Sequence, residues 1–405
     1  PLRGPSCARF SRPVRRGALC AGEPCGRRSA GGGTFAHSVA AVDTIAENFV
    51  TLSSPKQPIE VEQNRPPFDP DGVGVDNGAY FGFPFAPDEA ELVLVSAPWD
   101  VTVSYGAGAV YAPDAIIEAS TQLDFYDPMA PDAWRRGIAT ADVDYSLQEL
   151  SLRLRDEAAK VIEHLENGGS PADERTARRI RRVNEGCARM NDNIRGQAAH
   201  WLAAGRRVGL VGGDHSTPYG LIRALGDRHE GFGVLHLDAH CDLRAAYEGF
   251  EFSHASVMFN VLRDVPQVAR LVQVGVRDYS AAEAALAAAS ERVALFDDRE
   301  LSLGRFEGRT WAEQCRRIVE RLPREVYVSF DIDALSVECC PHTGTPVPGG
   351  LSFGEAIYLV ECVVRSGRRI IGFDVVEAVP RQGEPLDASV AARVLYKLCL
   401  LTLIS

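Results

Sequence analysis

From about residue 90 onward, short apolar runs alternate with helical patterns, and that alternation restricts the fold more than any other feature. Leu92–Ala97, Arg207–Val211, Gly233–Asp238, Leu271–Val276, Val326–Asp331 and Ile370–Val376 are short, β-branched and bounded by turn residues, so they read as buried strands. Between them Asp192–Ala204, Ala281–Ser290, Trp311–Leu322 and Phe353–Ser366 read as helices. Strand and helix in turn imply parallel strands joined by right-handed crossovers. The expected fold class is therefore α/β: a single three-layer α/β/α domain over residues 91–405 with a central, mainly parallel sheet. Residues 151–190 are mostly polar and predict a helical insertion, with Glu174–Arg182 as a solvated helix face.

Charge is distributed unevenly. The net charge of −12 combines a basic leader, residues 1–40 with seven arginines, no lysine and the single acid Glu23, with a body carrying 36 basic and 54 acidic residues. An acidic body argues against a nucleic-acid partner and suits a cationic ligand or carboxylates that hold metal. The Arg-, Ser- and Ala-rich leader predicts an organellar transit peptide, mitochondrial or plastid; without it the chain is expected in the cytoplasm. Residues 41–90 read as an N-terminal extension. No run approaches the roughly 20 apolar residues of a membrane helix, so no membrane partner is expected. Ten cysteines without a CxxC pair read as reduced thiols of an intracellular protein, Cys339–Cys340 being adjacent loop thiols.

Ligands of parallel sheets gather outside the carboxyl ends of the strands, and three acidic or histidine-bearing clusters fall at such ends. RRVGLV runs into Gly212-Gly213-Asp214-His215-Ser216, FGVLHL into Asp238-Ala239-His240-Cys241-Asp242, and VYVSF into Asp331-Ile332-Asp333. In an extended DxHxD segment the three ligand types point to one side, with Cys241 facing away. The set of Asp238, Asp242, Asp331, Asp333, His215 and His240 is oxygen-rich with a minority of imidazole. It suits Mn²⁺ or a similar divalent ion better than a closed zinc site. Four carboxylates in one cleft repel one another unless cations offset them, and a pair of divalent ions also makes hydroxide available near neutral pH.

GGDHS, DAHCD and SFDID, in this order, resemble the signature of the ureohydrolase family of arginases, agmatinases and their relatives, supported by PWDVTVSYGAGA, TGTPVPGGLS and DVVEAVP. The resemblance runs from about Trp99 to the C-terminus. It implies one metal on His215, Asp238, Asp242 and Asp331, and a second on Asp238, His240, Asp331 and Asp333. It also implies a single α/β domain, commonly assembled into trimers or hexamers, that hydrolyses a small guanidino substrate to urea. Glu377 matches the family's guanidinium-binding glutamate, a carboxylate facing a planar fork of N–H donors. His254, in FSHASVM, matches a proton-shuttling histidine, and an imidazole titrating near neutrality suits that role. Asp333 is the expected carrier of the nucleophile's proton, and Asp214 is expected to support the ligands without being one.

Substrate choice is less constrained. Arginases usually carry asparagine two residues after the DAHxD motif, where this chain has Asp242-Leu243-Arg244. That difference disfavours arginine, and the SHxxxMF and TGTPVxGGLS stretches favour agmatine. Arg244, if it lines the pocket as a substrate-binding residue, would instead favour a guanidino acid or free guanidine. A regulator without catalysis, a single-zinc deacetylase and a metal phosphoesterase are the competing classes. All six ligand positions are filled and Glu377 is a poor phosphate partner, which weighs against them.

Overall fold

The computed structural model describes residues 68–405. The basic leader and residues 41–67 of the extension, with the transit-peptide reading, lie outside the described residues. The described strands are β1 (Leu92–Ala97), β2 (Ile138–Thr140), β3 (Arg207–Gly212), β4 (Phe232–Leu237), β5 (Val268–Val274), β6 (Val293–Phe296), β7 (Glu325–Asp331) and β8 (Arg369–Val376). They form one sheet in the order β2-β1-β3-β8-β7-β4-β5-β6, and every described pairing is parallel.

The principal helices are α1 (Ala112–Ser120), α2 (Tyr145–Glu166), α3 (Glu174–Ala203), α4 (Tyr219–Gly226), α5 (Val257–Asp264), α6 (Ala281–Ala289), α7 (Asp298–Phe306), α8 (Trp311–Val319), α9 (Phe353–Arg365) and α10 (Leu386–Ile404). The sheet separates two apolar cores, as the pleat requires. Leu92 and Leu94 of β1 join residues of α1, α8, α9 and α10 on one face, while Val93 and Val95 join residues of α2 to α5 on the other. Helix starts are fixed by local chemistry. Ser280 with Glu283, Thr310 with Glu313 and Ser352 with Glu355 form reciprocal capping boxes at the starts of α6, α8 and α9.

The helical insertion is larger than the sequence pattern indicated, with α2 and α3 spanning 22 and 30 residues. Arg179 and Arg182 of α3 pair with Glu157 of α2 at 3.1 and 3.5 Å, so Glu174–Arg182 is a helix face laced with ion pairs. Asn184 of α3 donates to the Gly249 carbonyl and accepts from the Glu251 N–H, docking the segment that follows DAHCD onto the insertion.

Residues 68–90 of the expected extension are built into the domain. Phe83 stacks on Trp134 at 5.6 Å and packs against Phe68, Phe81, Phe85 and Phe125, all on the α10 side of the sheet. Phe83 is 3% exposed. Phe83→Ala should therefore lower unfolding stability by about 3–5 kcal/mol in urea titrations. An unchanged midpoint would mean that the segment merely covers a core that closes without it.

Candidate metal centre

The four central neighbours of the sheet, β3, β8, β7 and β4, are the strands whose carboxyl ends carry the charged motifs. Each motif first satisfies its own backbone. Asp214 Oδ1 accepts from the Ser216 N–H (3.0 Å), Asp238 Oδ1 from His240 N–H (2.6 Å) and Asp331 Oδ1 from Asp333 N–H (2.8 Å). These are aspartate turns two residues long. At Asp238 and Asp331 the turn leaves the second carboxylate oxygen to face the His215 ring. Asp333 links two motifs by accepting from the Ala239 N–H at 2.9 Å.

His215 stands at the centre. Its Nδ1 lies 2.8 Å from Asp238 Oδ2, 3.0 Å from Asp331 Oδ2 and 3.2 Å from Asp242 Oδ2. Its Nε2 meets Ser329 Oγ at 2.9 Å, and Nδ1 has no hydrogen-bond partner of acceptable geometry. His240 Nδ1 sits 3.0 Å from Asp333 Oδ2 and 3.4 Å from Asp238 Oδ1. Two groups thus have donor atoms close enough to share an ion: His215, His236, Asp238 and Asp242 in one, and Asp238, His240 and Asp333 in the other. Asp238 belongs to both, and Asp331 faces the first through His215.

All six ligand positions expected from sequence are brought together, but the route differs at the second motif. β4 ends at Leu237, its ladder continues through the Asp238 N–H, and the chain bends at Ala239 and His240. Asp242 reaches the cluster in a left-handed conformation at φ +54°, rather than by strand alternation. Cys241 does face away, buried in the core beside α4 and α5.

His236 was missed by the motif reading. Its Nε2 contacts Asp238 Oδ2 at 2.8 Å while its Nδ1 faces Gln273 Nε2 at 3.0 Å, so it holds the carboxylate that both groups share. The signal was present in β4, where His236 precedes Asp238 by two residues and so shares its face.

Electrostatics state what the cluster lacks. Burial, then neighbouring carboxylates, push Asp242 and Asp331 well above the usual carboxylate range. Burial also opposes the charged forms of His215 and Asp238. At His215 contacts with Asp238 and Asp331 overcome it and hold the imidazole well above its ordinary value, and at Asp238 His236, then His215 and His240, hold the carboxyl well below. The donor set therefore fits divalent cations: anionic oxygens converge on the His215 imidazole where, among the described residues, no lysine or arginine pairs with them.

Glu377 follows β8 at φ +65°, a strained position for a residue with a Cβ. Its Oε1 accepts from the His215 N–H at 2.8 Å, and its own N–H donates to the Gly213 carbonyl at 2.7 Å. Burial and then Asp214 push its carboxyl well above the usual range. His254 opens a short 3₁₀ turn, its N–H donating to Thr102 Oγ1 at 3.3 Å. Burial, followed by His240 and Arg155, lowers its imidazole to about 3, which favours the neutral ring.

Arg244 is placed otherwise than as a free pocket cation. Its Nε lies 3.7 Å from Glu283 Oε2 and its guanidinium stacks 4.8 Å from the Tyr247 ring, whose neighbour is His254. Asp214 is fully buried beside Asp100, with its carboxyl pushed up to about 7 by burial. The seven described cysteines are free thiols. Among the described residues no helix is long and apolar enough to cross a membrane.

Comparison with known proteins agrees with this geometry. The model of the arginase family matches residues 90–401. An N(1)-aminopropylagmatine ureohydrolase of Thermus thermophilus is 31% identical over 318 residues, covering 78% of this chain and 92% of that protein. The agmatinase of Serratia proteamaculans is 29% identical, covering 76% and 85%. The solved structure of proclavaminate amidino hydrolase from Streptomyces clavuligerus superposes with a TM-score of 0.62 at 23% identity, covering 80% and 97%, which shows the shared fold.

Neutralising one carboxylate separates repulsion from ligation. Asp331→Asn should raise the melting temperature of metal-free protein. It should also remove most of the rise that Mn²⁺ gives the parent, a rise worth about 2.7 kcal/mol at one hundred times the dissociation constant. Equal metal-dependent shifts in both proteins, read by scanning calorimetry, would exclude Asp331 from the site.

Proposed function

We propose that this chain, which belongs to the arginase family, cleaves a guanidino carbon–nitrogen bond to release urea, with agmatine as substrate and putrescine as co-product. It is a hydrolase acting on carbon–nitrogen bonds, like its agmatinase and aminopropylagmatine ureohydrolase relatives. The observation that carries the substrate reading is that one residue sets both halves of the site. The His215 ring faces the carboxylate cluster, while its backbone N–H holds Glu377 at 2.8 Å. A guanidinium ion paired with Glu377 is thereby registered against the cluster.

In this reading His215, Asp238, Asp242 and Asp331 hold one divalent ion and Asp238, His240, Asp331 and Asp333 the other. Manganese is the first choice because the donors are mostly carboxylate oxygen. When bound, the ions offset the buried negative charge and lower the pKa of a water between them. Glu377 binds the planar N–H fork and orients the guanidinium carbon. Asp333, fixed at Oδ1 by the Ala239 N–H, has Oδ2 on the cluster side, 3.0 Å from His240, to take the nucleophile's proton. His254, held neutral, relays a proton through its two ring nitrogens toward the departing amine without retaining the charge.

Arg244 supports agmatine rather than a guanidino acid. Paired with Glu283 and stacked on Tyr247, its charge is engaged and does not repel a distal ammonium group. In this reading it acts on substrate through the rim residue Tyr247.

The test is urea release by the full chain loaded with Mn²⁺ or Ni²⁺, offered agmatine, arginine, guanidinobutyrate and free guanidine. Agmatine should give urea and putrescine in equal amounts. Glu377→Gln should lower kcat/KM by roughly 10²–10³, as expected when one partner of a buried charge pair is lost. His254→Ala should cost about 10²–10⁴, mostly in kcat. Urea from guanidine or guanidinobutyrate but none from agmatine would move the substrate. No urea from any of them, with two metals bound, would sink the reading.

A further inference from the structure

The loop Thr102–Gly108 carries an aromatic ring that nothing in the fold requires. Thr102 and Val103 are buried, whereas Tyr105 is 81% exposed. The loop is held at several points. Thr102 Oγ1 accepts from the His254 N–H, the Gly106 N–H donates to the Gly344 carbonyl at 3.0 Å, and the Gly108 N–H donates to Asp100 Oδ2 at 2.8 Å. The approach at Gly106 is close enough that a Cβ there would lie 2.7 Å from the Gly344 carbonyl oxygen. Gly344 in turn packs on the guanidinium-binding carboxylate, a Cβ at that position falling 2.9 Å from Glu377 Oε2.

The span from Thr102 to Gly106 therefore runs between the backbone of His254 and the glycine seated on Glu377. Tyr105 lies within it, one residue from the backbone that touches the Glu377 side. A ring left in water on so constrained a loop contributes nothing to the core.

We infer that Tyr105 is a specificity-determining residue, whose ring face receives the distal ammonium group of an aminoalkyl guanidine bound by Glu377. This rests on the urea-releasing reading above and names the part of the site that reads the substrate's far end. The four methylenes of such a tail span roughly 6 Å, within reach of a tyrosine side chain on this loop. An aromatic face attracts a cation through its quadrupole and gives no such attraction to a neutral or anionic tail. The guanidinium of Arg155 from α2 donates to the Val101 carbonyl at 3.2 Å, just before this loop, and is offset by Asp100 and Asp214.

The experiment compares the full metal-loaded chain with Tyr105→Ala and Tyr105→Phe. The compounds are agmatine, n-butylguanidine, which has the same length without charge, and 4-guanidinobutyrate, each measured as substrate or as competitive inhibitor. Tyr105→Ala should raise KM for agmatine about 3- to 20-fold with kcat preserved, as a lost cation–ring contact implies. Its affinity for butylguanidine should change less than twofold, roughly, and Tyr105→Phe should behave as the parent. An unchanged KM for agmatine in Tyr105→Ala would overturn the inference and leave the reaction standing. An equal loss for butylguanidine would also overturn it, because the ring would then contribute only apolar contact. A parent that releases no urea from agmatine would overturn both together.

Discussion

Everything around the site answers to one electrostatic problem: Asp238, Asp242 and Asp331 converge inside the protein on the His215 imidazole, with Asp333 beside them facing His240. Three of their oxygens lie within 3.2 Å of His215 Nδ1. Buried charges are tolerated only when they are paired and hydrogen-bonded. Here the backbone of each motif satisfies part of the demand, and His215, His236 and His240 meet a further part. The remainder calls for positive charge that no described lysine or arginine supplies by an ion pair with these carboxylates. Carboxylates driven above their ordinary range by burial and by one another express the same deficit.

A parallel sheet is the scaffold that can impose such convergence. Four adjacent strands end at the same level, and each delivers a short charged turn there. Close backbone approach tightens the assembly: a Cβ on Gly213 would lie 2.0 Å from the Trp99 carbonyl oxygen, so the turn that presents His215 can sit against the loop after β1 only as glycine. The same turn accepts the N–H of Glu377. Left-handed backbone at Asp242 and Glu377 completes the arrangement, and the surrounding core bears that strain.

Much of this was legible in the sequence because the signals are local. Six of the strands are continuous apolar runs ending in turn residues, and the ligands lie directly at those ends. β2 and β6 were not read. β2 spans only three residues, and β6 has four, of which the middle two, Ala294 and Leu295, are half-exposed. Edge strands this short carry no period of their own and exist by pairing with β1 and β5. The full extent of α2 and α3 escaped because their polar faces dilute the apolar stripe that meets the sheet. Positive φ at Asp242 and Glu377 leaves no mark in a sequence when the residue is not glycine. The pairing of Arg244 with Glu283 joins positions 39 residues apart, and no spacing rule relates them.

Specificity and catalysis are assigned to different layers of this architecture. The charged turns belong to strand ends buried between two cores, where a one-residue shift would move every ligand. Tyr105 on its tethered loop and Tyr247 in the segment docked on α3 hang from connections outside the sheet. Asn184 and the glycine contacts at Gly106 and Gly344 fix those connections without involving the ligand set. Side-chain changes at Tyr105 or Tyr247 therefore leave the backbone turns that carry the carboxylate cluster in register.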